Sequence, residues 1–131
     1  MSNSFQSELA AHIDTIEAAY EFMLAYAAQG REGDGPGAEI TQYLENLYGA
    51  LAAISEVAAR EFEGDTDPDV RGRAFVDVLA EDANKAQAAI GLVVAQSRIS
   101  SQLIDNLNGS IHLRALLTDL FLLDEVVKHS P

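Results

Sequence analysis

The sequence predicts an all-α protein, an antiparallel up-down four-helix bundle with a long or kinked third helix. Apolar residues recur at spacings of three and four through most of the 131 residues, the period of one helix face. Breakers rich in glycine, proline, aspartate or asparagine at 30–37, 64–69 and 106–109 cut the chain into four segments, at about 4–29, 38–62, 68–106 and 110–129. The connections are short, which favours antiparallel neighbours, and no strand pair, internal repeat or low-complexity tract suggests another architecture. A chain of this length is expected to form one domain, 1–131, with a core that needs no staples.

In the first segment Phe5, Leu9, Ile13, Ile16, Tyr20, Met23 and Ala27 make one face, with Asp14, Glu17 and Glu21 away from it. The glycines that follow do not make a phosphate loop. No strand precedes them, no Lys-Ser/Thr follows, and Glu32, Asp34 and Glu39 would repel phosphate. The second segment carries Ile40, Leu44, Leu47, Leu51, Ile54, Ala58 and Phe62 on one stripe. Tyr43 and Tyr48 flank it, where a ring is buried and its hydroxyl kept wet.

Asp65, Asp67 and Asp69 imitate the start of a calcium loop, but an EF-hand needs glycine where Val70 stands and glutamate where Val76 stands. A helix start accounts for them better: Asp67 as N-cap, Pro68 in the first helical position, Asp69 at the positive end of the dipole. The third stripe is Phe75, Leu79, Ala83, Ala86, Ile90 and Val93. Asp82 falls inside that sector and must be marginal or paired, because a lone buried carboxylate is costly. Gly91 costs about 1 kcal/mol against alanine in mid-helix, and a close helix contact would offset that.

After Val94 the pattern rotates. Leu92, Ile99, Leu103 and Leu107 form a second stripe, while Ser97, Ser100 and Ser101 fall on or near the old seam. A break near Arg98 and a continuous helix to Asn106 both fit, and the continuous helix is the reading adopted. It would be about 58 Å long at about 1.5 Å per residue. The last segment opens on Ser110 as N-cap and is the most apolar of the four. Leu113, Leu116, Leu117, Leu120, Leu123 and Val127 share one side, with Phe121 on one flank and Ala115, Leu122 and Val126 on the other. This arc is wider than the stripe of an ordinary surface helix.

Eight basic against 21 acidic residues, a net charge of −13, argue against binding nucleic-acid phosphates or anionic membranes. The longest apolar run falls well short of the roughly 20 residues a membrane span needs. The first residues lack a signal-peptide pattern, and cysteine is absent, so the expected location is cytoplasmic. Catalytic constellations are missing: His112 has no identifiable partner, and the serines have no adjacent base motif. Glu8 with His12 and Glu125 with His129, each pair four residues apart, are the only metal candidates, and both fit a solvated surface better. No cofactor is expected.

These features describe a non-catalytic acidic interaction protein such as an adaptor, small regulator or chaperone. Its surplus stripes would bind through Leu92, Ile99, Leu103, Leu122 and Val126, in a homodimer or with another protein. The alternatives are a bundle holding a metal or small ligand, and an acidic inhibitor that mimics nucleic acid.

Overall fold

A computed structural model describes residues 3–33 and 38–128, with side chains from Glu8 onward in the first helix. The described elements are all helical: α1 (Asn3–Ala27), α2 (Glu39–Ala59) ending in a 3-10 turn (Arg60–Phe62), α3 (Asp67–Val94), α4 (Ser101–Asn108) and α5 (Ile111–Lys128). Phe5 and His129 are outside the described side chains. None of the described helices is long and apolar enough to cross a membrane.

The apolar stripes become the core. Leu9, Ile13, Ile16 and Met23 of α1 meet Ile40, Leu44, Leu47, Leu51 and Ile54 of α2, Leu79, Ala86 and Ile90 of α3, and Leu113, Leu116, Leu120 and Leu123 of α5 in one buried cluster. Neighbours run in opposite directions. At one end of the α1–α2 pair Glu8 pairs with Arg60 at 2.7 Å, and at the other Phe22 stacks on Tyr43 with ring centroids 4.1 Å apart. Gln87 of α3 donates to the Tyr48 carbonyl of α2 at 3.0 Å, while Phe62 lies on Gly72 near the start of α3. The glycines of α3 mark its close contacts. A Cβ on Gly91 would come within 3.2 Å of the Tyr48 ring, and one on Gly72 would overlap the Phe62 ring.

The long third helix does not form; the described residues make five α-helices, not four. α3 stops at Val94, and α4 is a separate helix that packs chiefly on α1, while α5 packs chiefly on α3. Ser97, Ser100 and Ser101 explain the break. Serine is a weak helix-interior residue and a strong cap, because its hydroxyl competes for backbone groups. Ser100 caps α4 by accepting from the Leu103 N–H at 3.0 Å. Ser101 is buried and turns its hydroxyl to α1, donating to the Tyr26 carbonyl at 2.7 Å and accepting the Arg31 N–H at 2.8 Å.

The start of α3 also differs by one residue from the sequence expectation. Thr66, not Asp67, is the N-cap; its hydroxyl accepts from the Asp69 N–H at 3.2 Å, and the Asp69 carboxylate reaches back to Thr66. Asp67 instead pairs with Arg71 at 2.9 Å. Two carboxylates of the aspartate run are thus committed to starting a helix. Ser110 keeps its expected role, accepting from the His112 N–H at 3.2 Å.

Candidate partner-binding site

Five residues were expected to share an interaction surface, and the structure separates them. Leu122 and Val126 are about half exposed on the outer face of α5, and Leu92 is 69% exposed on α3. Ile99 is only 2% exposed and Leu103 packs partly buried against the core. The correction follows from the break: reversing the chain after Val94 turns the Ile99 stripe inward onto α1. Because α3 and α5 are antiparallel, Leu122 and Val126 lie beside the start of α3. Leu92 is about 26 Å farther along that helix than Phe75, at about 1.5 Å per residue. A single patch across all five residues does not exist.

What remains is a groove of about 410 Å³ between α5, the start of α3 and the turn that ends α2. Phe62 and Phe75 line one side, Leu122 and Val126 the other, with Leu123 between. Gly72 belongs to the lining because only a residue without Cβ lets the Phe62 ring lie on α3. Arg71, paired with Asp67, and Asp69, held in the Thr66 cap, also line the groove, and Glu61 is the second acidic group in this wall. Its Oε2 is shielded from solvent and has no hydrogen-bond partner among the described residues. Burial pushes the carboxyl above the ordinary carboxylate range. Periodicity placed Phe62 and Phe75 in the core; nothing in the local sequence singled out Glu61 beyond its position at the end of a stripe.

The same α3–α5 seam holds a second polar feature. Asp82, which sequence periodicity had placed in an apolar sector, faces Asp119 of α5 across the seam. Asp119 Oδ2 is shielded and has no hydrogen-bond partner among the described residues, and two carboxyls facing each other can share a hydrogen bond only if one keeps a proton. Burial, the bond to Asp82 and the charge of Asp82 push the Asp119 carboxyl up to about 7. Lys85 on α3 and His112 on α5, the next charged or titratable residues along these faces, are exposed.

The sign of the resulting pH dependence follows from the raised value. The stabilising contribution is fully present below the ordinary value of 3.8 and is lost as pH rises toward about 7. Wild-type protein should therefore lose about 1–2 kcal/mol across that window relative to Asp119→Asn, a figure discounted for solvent screening at a partly exposed seam. Denaturant melts of both proteins at acid and alkaline pH check this. Parallel stability profiles would show that the two acids are not coupled.

Of the four metal candidates, His129 lies outside the described residues. The Glu8 carboxylate is engaged by Arg60, and His12 Nδ1 lies 2.9 Å from the Glu8 carbonyl. Among the described residues no three histidine, aspartate or glutamate side chains are placed to hold an ion. Compared with known protein families, curated proteins and solved structures, the chain shows no significant match to any of them.

Proposed function

We propose that this chain is a non-catalytic interaction protein, a single acidic helical domain of the cytoplasm, and that it binds a partner at the groove between α3 and α5. The observation that carries this is the half-exposed pair Leu122 and Val126 opening onto an apolar groove walled by Phe62 and Phe75. Large apolar side chains clustered around a concavity mark an interface, whereas singly exposed ones do not. Leu92 and Ile111 are more exposed than either, but neither lines this groove. The net charge of −13 opposes pairing of two copies and favours a different, basic protein.

Site-specific crosslinking tests the reading. A photoreactive phenylalanine analogue in place of Leu122 should capture one protein in the native cell, and the same analogue in place of Leu92 should not. Equal yields from the two positions, or no crosslink from Leu122, would sink the assignment. A crosslink from Leu122 to a second copy would replace the foreign partner with a homodimer.

A further inference from the structure

Resting on that reading, we propose that the occupant of the groove is an amphipathic helix of a partner protein that carries a lysine or arginine beside its apolar anchor, the cation pairing with Glu61.

Glu61 Oε2 is withdrawn from solvent without a hydrogen bond among the described residues, an arrangement that is unfavourable unless a partner arrives. The neighbouring arginines have other attachments. Arg60 pairs with Glu8 and Glu56, Arg71 pairs with Asp67, and Arg73 donates to the carbonyls of Phe62 and Gly64 at 2.5 and 2.6 Å. Among the described residues none of these guanidinium groups bonds Glu61 Oε2, which leaves that oxygen open to a cation from the ligand. A volume of about 410 Å³ holds a few side chains rather than a whole helix, so the occupant lies along the seam and inserts its anchors. A channel between two antiparallel helices accepts a third helix by ridge-into-groove packing, and an amphipathic helix presents anchors at such a spacing. An incoming cation also suits a chain of net charge −13, which accelerates encounter with basic partners. A second copy of this chain would bring the same negative charge and is disfavoured as occupant.

The test is selection of random peptides about 14 residues long, roughly four helical turns, on the purified protein. Wild-type protein should enrich sequences with a lysine or arginine three or four residues from an aromatic or aliphatic anchor. Binding of the selected peptides, read by fluorescence anisotropy, should weaken roughly tenfold or more in Glu61→Gln, as for loss of a shielded ion pair. It should also weaken in wild type, but not in Glu61→Gln, as acidification protonates this carboxyl. Loss of binding in Leu122→Ser confirms the location, and that exposed position leaves folding intact. Peptides without a cation, or peptides that lose affinity in Leu122→Ser but not in Glu61→Gln, overturn the pairing while leaving the groove as the site. Selected peptides indifferent to both variants overturn the groove itself.

Discussion

Ile90→Ala should lower the free energy of unfolding by about 2–5 kcal/mol, the usual range when a large aliphatic group is removed from a core. Ile90 has no solvent exposure and sits in the common cluster with residues of α1, α2 and α5. The stripe around it is built from small residues, Ala83 and Ala86, and the helix is already held close to α2 at Gly91. Short side chains and a tight backbone leave little that can move into the vacated volume, so much of the cavity should persist. Leu47→Ala, at an equally buried position on α2, should cost a similar amount. Leu92→Ala is the internal control: it lies two residues from Ile90, is 69% exposed, and should change stability by less than about 0.5 kcal/mol. Urea melts of the three variants decide the matter. A loss under about 1 kcal/mol for Ile90 or Leu47 would mean that these side chains are not core groups.

That contrast shows what periodicity makes legible. The inward phase of α2, α3 and α5 could be read from the spacing of Leu44, Leu47, Leu51, Leu79, Ile90, Leu116 and Leu120, because burial selects one helix face and that face repeats along the chain. The break after Val94 was visible only as a rotation of the stripe. A rotated stripe has two physical causes, a helix that changes partner and a chain that reverses, and local spacing is the same in both. The hydrogen bonds that decide between them join residues about 70 positions apart, such as Ser101 to Arg31 and Tyr26. The capping of α3 lay within reach of the sequence, since Thr66 and Asp69 have the three-residue separation of a reciprocal cap, but three neighbouring aspartates obscured it.

The site was legible to a smaller extent for the same reason. Leu122 and Val126 stood out because α5 has more apolar arc than one contact face uses. Asp82 stood out as a carboxylate in an apolar sector, but its partner Asp119 is on another helix, and local spacing does not join the two. Glu61 becomes notable only when the ends of α2, α3 and α5 come together around it.

Tyr26→Ala should be as damaging as any core substitution, at about 3–5 kcal/mol, and its effect should be concentrated in α4. The ring is 1% exposed, lies beside Phe22 with centroids 6.3 Å apart, and has the Arg31 guanidinium 5.2 Å from its centroid. Its hydroxyl donates to the Ile99 carbonyl at 2.5 Å, in the segment where the helix has been interrupted. Around it Ser101 donates to the Tyr26 carbonyl, the Ser101 N–H donates to the Arg31 carbonyl at 3.0 Å, and Asn108 donates to the Met23 carbonyl at 3.2 Å. These bonds to the end of α1 replace those a continuous helix would have made, which is why an eight-residue helix persists although one so short is marginal alone. Tyr26→Phe keeps the ring and removes only the hydroxyl and its bond to the buried Ile99 carbonyl, and should cost about 1–3 kcal/mol. Hydrogen exchange separates this local staple from general packing. In Tyr26→Phe the amides of α4 should lose protection well before those of α2 and α3, as for a segment that opens by itself. Uniform loss across all helices, or an unchanged α4, would show that the Tyr26 hydroxyl does not hold this helix in place.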